Sequence, residues 1–382
     1  MVLKEQKVSK TVKRTILLNP GPSTTTETVK ASLIQDDICH REEEFAQIVR
    51  GICDDLVKVV HGKSDYSAVL FAGSGTIIID VALNSLVPDG KKVLVLNNGA
   101  YSQRGVDVCK YFRIPVIDMK IDILDTPDLA LVEKTLKENP DIAVVFTAHQ
   151  ETGTGLLNPI REIGALSRKY KAIFVTDSTS TYGVMPMNVY DDNIDFCMAS
   201  SQKGLNAFTG LSFIVGKTSE IEKTKDYQAR SYYTNLWRQY DFFKKNKQMH
   251  FTPPVQIMYS LAQALKEHFA EGEQAKWKRF RDGYKVIREE MAKLGFKDIL
   301  PEDKQTGLVV GILNPKDPNF DFNKIHDYLY EKGVTIYPGK IADLETFRVC
   351  NLGSLGPDDI RDAFKVLTDA LKACGVALPV KY

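Results

Sequence analysis

Ala172-Ile173-Phe174-Val175-Thr176-Asp177-Ser178, followed by Phe196-Cys197-Met198-Ala199-Ser200-Ser201-Gln202-Lys203-Gly204, decides how this chain is read. Each stretch is an apolar run that ends in a polar group. Runs apolar throughout, without polar alternation, predict strands buried on both faces. In an open α/β sheet, ligands gather at the carboxyl ends of the strands. Asp177 and Lys203 therefore stand at two successive strand ends, where both can face one ligand. Alone, Asp177 reads as a helix cap and Lys203 as a solvated loop lysine. Together they suit pyridoxal 5'-phosphate (PLP): the carboxylate pairs with the protonated ring nitrogen that makes the ring an electron sink, and the lysine carries the cofactor as a Schiff base.

The same texture extends outward. Further apolar runs are Val69–Phe71, Lys92–Leu96, Ile142–Phe146 and Ser212–Val215. Helix-length stretches such as 159–169 separate them, with Pro159 at a helix start. This alternation predicts a mainly parallel sheet with helices on both faces. After about residue 255 the pattern changes. Long amphipathic helices are expected over 256–272 and 273–294, strands near 306–312 and 346–349, and a closing helix over 357–374. A smaller α+β C-terminal domain follows from this. The expected division is an N-terminal segment 1–20, a large PLP-binding domain 21–260 and a small domain 261–382.

Composition narrows the function class. The 382 residues carry a formal net charge of +1, with 43% hydrophobic and 26% charged residues. That balance gives no electrostatic case for nucleic acid or membrane partners. The six cysteines are scattered, with no CxxC spacing for a metal or redox pair. The basic, polar opening lacks an apolar run of signal or membrane-span length. A cytoplasmic protein with small-molecule substrates and no metal is the expectation.

Four more motifs follow predicted strands or sit in one. Gly73-Ser74-Gly75-Thr76 offers a glycine turn and a helix start to an anion; it is not a full dinucleotide or P-loop fingerprint, and a plain tight turn is its other reading. In His149-Gln150-Glu151-Thr152, Thr152 could bond the cofactor's phenolic oxygen, Glu151 could anchor structure, and His149 could be a packed core residue. Tyr101, in Asn98-Gly99-Ala100-Tyr101, is a candidate to stack on the pyridine face. Arg348 lies inside an otherwise apolar strand, where an unpaired cation is costly. Its planar fork suits a carboxylate or phosphonate, and a structural ion pair is the alternative.

At these residues the sequence resembles the class V aminotransferases of PLP fold type I, and most closely their 2-aminoethylphosphonate–pyruvate branch. The carriers are Leu18-Asn19-Pro20-Gly21-Pro22-Ser23-Thr24-Thr25, Gly73–Thr76, Asn97–Tyr101, His149–Thr152 with Asn158-Pro159, Ser200–Lys203, and the region 233–243 with Met249–Pro254. The resemblance implies a mainly parallel seven-stranded sheet and a homodimer with shared active sites. It implies that Ser74, Gly75, Thr76 and Gln202 hold the phosphate, and that Thr252 reaches the neighbouring subunit's cofactor. It also implies that Gly21 and Arg348 form the substrate pocket. The implied reaction converts 2-aminoethylphosphonate and pyruvate to phosphonoacetaldehyde and L-alanine. Alternatives within the fold are alanine–glyoxylate or phosphonopyruvate transamination, or a lyase acting on an aminophosphonate. A cysteine desulfurase would need a reactive cysteine on a loop ahead of the substrate arginine, and the only nearby thiol, Cys350, lies past Arg348 in the same predicted strand.

Overall fold

A computed structural model describes residues 15–339, 341 and 344–382. Its central sheet has seven strands: β1 (Tyr66–Ala72), β2 (Lys92–Asn97), β3 (Val116–Lys120), β4 (Ile142–Ala148), β5 (Ile173–Asp177), β6 (Phe196–Ser200) and β7 (Leu211–Lys217). Their order is β1-β7-β6-β5-β4-β2-β3. All neighbours run parallel except β7, which is antiparallel to β1 and β6. The mainly parallel seven-stranded sheet is thus present, with helices on both faces.

Side-chain alternation explains why these runs are apolar throughout. Leu94 and Leu96 enter one core while Val93 and Val95 enter the other. Phe174 and Val175 divide the same way. The first core is closed by α1 (Glu43–Val59); the second is closed by α2 (Thr76–Leu86) and α3 (Ala100–Tyr111). On the first face also lie α4 (Leu129–Glu138) and α5 (Ile160–Lys169), and on the second α6 (Leu236–Asn246). Each buried Phe or Val contributes about 1.5–3 kcal/mol relative to exposure. Sheet and helices therefore fix the strand ends firmly.

Helix α7 (Val255–Glu271) packs Met258, Leu261 and Leu265 on the large core. Residue 260, the expected end of the large domain, lies inside this helix. The next helix, α8 (Glu273–Leu294), turns its buried Tyr284, Ile287 and Met291 to a separate core. That core sits on β8 (Val309–Leu313), β9 (Tyr337–Pro338) and β10 (Thr346–Cys350), with α9 (Phe322–Glu331) and α10 (Pro357–Ala373). The antiparallel strand order is β8-β10-β9. The N-terminal strand Ile16–Leu17 pairs with Val334–Thr335, and Leu18 joins the small core. From there the chain runs through Gly21 to Ser23 beside Lys203, linking the small domain to the mouth of the sheet. No helix among the described residues is long and apolar enough to cross a membrane.

Candidate active site

Asp177 ends β5, and Lys203 follows the end of β6. The two strands are parallel, with Asp177 opposite Met198. Asp177 is fixed by its own turn: Thr179 N donates to Oδ1 at 2.9 Å, and the Thr179 hydroxyl donates to the same oxygen. Oδ2 accepts no hydrogen bond among the described residues, and Asp177 lines a cavity of ≈ 160 Å³. Lys203 lines it too. The lysine is only 7% exposed, and its Nζ lies 5.0 Å from the Tyr101 ring centroid. Burial holds its pKa below the ordinary lysine range, against the opposing pull of Asp177. A buried amine with a depressed pKa is the nucleophilic form that carbonyl chemistry needs.

The N-terminal segment locks this lysine in place. Ser23 Oγ donates to the Gln202 carbonyl at 3.1 Å and to the Lys203 carbonyl at 3.2 Å. Gly21 sits at φ +132°, and a Cβ there would approach Lys203 Cγ to 3.0 Å. Only glycine combines that backbone with that contact. Gly21 thus packs on the stem of Lys203.

Opposite lies the uncapped start of a helix. Ser74, Gly75 and Thr76 lead into α2, whose N-terminus has no side-chain cap and no acidic residue in its first turn. Its free N–H groups form a positive end. Ser200 Oγ and Gln202 Oε1 are buried with no hydrogen-bond partner, and both residues line the cavity. A Cβ on Gly75 would come within 3.2 Å of Ser200 Oγ, so the glycine keeps the cradle open. Buried polar atoms without partners normally signal a group that completes them. A phosphate at this helix start would accept from the Ser200 hydroxyl and the N–H groups of α2, and from Gln202 only through its amide nitrogen, since Oε1 is itself an acceptor.

Tyr101, half-buried at the start of α3, forms a further wall. Its placement depends on Glu151. The Glu151 carboxylate accepts from Tyr101 N at 3.1 Å, from Ser102 N at 3.3 Å and from Gly153 N at 3.1 Å. Burial pushes its pKa up and these bonds oppose the rise. Glu151 is therefore the anchor of the α3 N-terminus. His149 is a core histidine: Nδ1 lies 2.9 Å from Thr181 Oγ1, and burial lowers its pKa from 6.5 to about 4.

Arg348 is 2% exposed. Its Nε and one terminal nitrogen donate to the Pro338 carbonyl at 3.2 and 3.1 Å, and the other donates to the Thr152 carbonyl at 3.1 Å. No carboxylate pairs with it among the described residues. Three donors are thus spent on neutral carbonyls, and among the described residues no anion balances the charge. That disfavours a structural ion pair and suits an anionic ligand. Thr152 is buried with Oγ1 3.5 Å from Ser180 Oγ. Neither Thr152 nor Arg348 lines the ≈ 160 Å³ cavity. Thr252 is exposed and also outside it. Cys350 is buried in β10, where burial raises its thiol to about 12. An inert thiol of this kind is no desulfurase nucleophile.

Two cavity residues escaped the sequence reading, apart from Ser200. Thr179 holds Asp177. Arg104 lies one helical turn after Tyr101, so the two share a face.

A profile of the family described as Aminotransferase class-V matches residues 26–352. The chain belongs to the class V aminotransferases. It is 33% identical over 353 residues to a 2-aminoethylphosphonate–pyruvate transaminase of Lysinibacillus sphaericus, covering 92% of this chain and 96% of that one. It is 35% identical to a bifunctional phosphonoacetaldehyde hydrolase/aminoethylphosphonate transaminase of Clostridioides difficile, covering 90% of this chain but 54% of that protein. This chain thus spans about half of the bifunctional relative. Among solved structures, the ureidoglycine–glyoxylate aminotransferase of Bacillus subtilis superposes with a TM-score of 0.88 at 17% identity, over 97% of this chain and 96% of that one. The fold is therefore PLP fold type I. As a class V aminotransferase the protein is a PLP-dependent enzyme, and the uncapped helix start, the orphaned Ser200 hydroxyl, Asp177 and Lys203 all fit that cofactor.

Proposed function

We propose that this class V aminotransferase moves the amine of 2-aminoethylphosphonate to pyruvate, releasing phosphonoacetaldehyde and L-alanine. The observation that carries the reading is the match along nearly the full length of relatives named for this reaction. Arg348 supports it. A buried guanidinium with no carboxylate partner among the described residues can take the phosphonate of one substrate and the carboxylate of the other in turn.

Bound PLP supplies the electron sink for breaking the bond at the amine-bearing carbon. The chain's own residues would do the rest. Lys203, kept partly neutral by burial, would attack carbonyl carbon and then move the proton at the reacting centre. Asp177 Oδ2, positioned by Thr179, would hold the ring N–H. Ser74, Gly75, Thr76 and Gln202 would hold the phosphate, Tyr101 would stack on the ring, and Thr152 would face its oxygen. Gly21 would close the pocket beside Lys203.

A homodimer belongs to the same reading. Thr252 is exposed on an arm that also exposes Tyr232 and Tyr233, 65% and 40% respectively. Tyr233 stacks on Phe251 at 4.8 Å, which gives the arm a rigid aromatic face. A second copy seated there would bring Thr252 to its neighbour's phosphate cradle.

The test is product analysis. Purified enzyme with PLP, 2-aminoethylphosphonate and pyruvate should yield phosphonoacetaldehyde and L-alanine in equal amounts. L-alanine formation only from other amine donors would reject the substrate assignment and leave the aminotransferase class intact.

A further inference from the structure

We propose that Arg104 is the counter-charge of the cofactor's phosphate, a binding residue that extends the cradle of Ser74, Gly75 and Thr76. The proposal rests on PLP occupying the ≈ 160 Å³ cavity, which Arg104 lines. One guanidinium nitrogen donates to Thr76 Oγ1 at 3.2 Å, so the charge lies against the first turn of α2. The guanidinium also packs over the Tyr101 ring, with Cζ 4.6 Å from its centroid. Glu151 fixes the backbone of Tyr101, and the ring in turn gives Arg104 a rigid face to lie on. No carboxylate pairs with Arg104 among the described residues.

Charge counting singles it out. The groups at the phosphate end of the cavity, Ser74, Thr76, Thr179, Ser200 and Gln202, are all neutral. Hydroxyls and a helix N-terminus can direct a phosphate, but a dianion leaving water needs a compensating charge. Lys203 cannot serve, because its nitrogen is the atom that joins the cofactor. Arg348 does not line this cavity; it lies against the carbonyls of Thr152 and Pro338. Arg104 is left as the cation in contact with the cradle, and its planar fork can bridge Thr76 and a phosphate oxygen at once. Its charge also reaches the lysine, lowering the Lys203 pKa alongside burial.

The experiment titrates cofactor-free protein with PLP and, separately, with pyridoxal, which lacks the phosphate. Binding is read from the visible absorbance of the lysine-bound ring. Losing one charge-assisted hydrogen bond weakens binding roughly 10–100-fold. Arg104→Gln should weaken PLP by that factor and change pyridoxal by less than ~3-fold. Arg104→Lys, which keeps the charge but loses the fork, should fall between. Equal weakening of both ligands would make Arg104 a support for Tyr101 and overturn the proposal, as would unchanged PLP affinity. If Arg104→Gln does not fold, the PLP-to-pyridoxal preference of Arg104→Lys decides, and an unchanged preference rejects the phosphate role. Wild-type protein that develops no absorbance with either ligand would instead reject cofactor binding at Lys203.

Discussion

Asp177 and Arg348 are both buried charges, yet the protein secures them in opposite ways. Asp177 is held by the turn that follows it, through Thr179 two residues on. Arg348 is held across the molecule, by Thr152 of the large domain and Pro338 of the small one. At Asp177 the floor is thus built locally, fixed wherever the sheet forms, while at Lys203 it gains a tie from Ser23, far away in the chain. The Arg348 side is assembled only when two cores and the strand β9 come together. In the proposed reaction this floor would fix the cofactor and hence the reaction class. In the proposed reaction the Arg348 side would make the choice among anionic substrates.

The comparison can be broken at several points, the floor giving the largest effects. Lys203→Ala would remove the proposed nucleophile and proton carrier, so turnover should fall by up to ~10⁴-fold, with the visible band of the bound cofactor lost. Steady-state assays and absorbance spectra check both. Retained turnover would detach the floor from the chemistry. Asp177→Asn keeps the shape but leaves a ring cation without its charge. Losing one partner of a buried pair costs about 3–5 kcal/mol, which would lower kcat/KM by roughly 10²–10⁴-fold while PLP still binds.

A third test uses pH and the core under the floor. Burial lowers the His149 pKa from 6.5 to about 4. The folded protein then binds fewer protons than the unfolded chain between these values. The stability linked to this neutral histidine is fully present above pH 6.5 and is lost as pH falls toward 4, by about 3 kcal/mol. Denaturant midpoints across that window should drop for the wild type and drop less for His149→Gln. The smallest effect is expected for Glu151→Gln. Its amide would turn a donor toward the N–H groups of Tyr101, Ser102 or Gly153, at about 1–3 kcal/mol of stability. Thermal unfolding reads the loss. A variant as stable as wild type would remove Glu151 as the anchor of α3.

The same contrast explains what the sequence could reveal. The strands that meet both cores, such as β5 and β6, announce themselves as unbroken apolar runs. Lys203 and Asp177 are legible because they follow such runs directly. Strand β3, Val116–Lys120, escapes because it is the sheet edge; most of its side chains are only partly buried and Asp118 and Lys120 break the run. Strand β9 has two exposed residues and is recruited solely by pairing with β10. Arg104 stands in a helix among ordinary polar residues, and only its one-turn spacing from Tyr101 hints at a shared face. Arg348 is visible as a charge in an apolar strand, but its partners are backbone carbonyls, which no residue type marks. The link from Ser23 to the Lys203 loop joins segments far apart in sequence and leaves no local pattern.

The central claim is that the floor fixes the chemistry while one cation, Arg348, serves both substrates in turn. The most direct measurement follows the two half-reactions separately, by the cofactor's spectral change in single turnovers of wild type and Arg348→Lys. Loss of a charge-assisted fork should lower the efficiency with 2-aminoethylphosphonate and with pyruvate alike, each by roughly 10–100-fold, and leave the unliganded spectrum unchanged. A fall in one half-reaction alone, or in neither, would contradict the account.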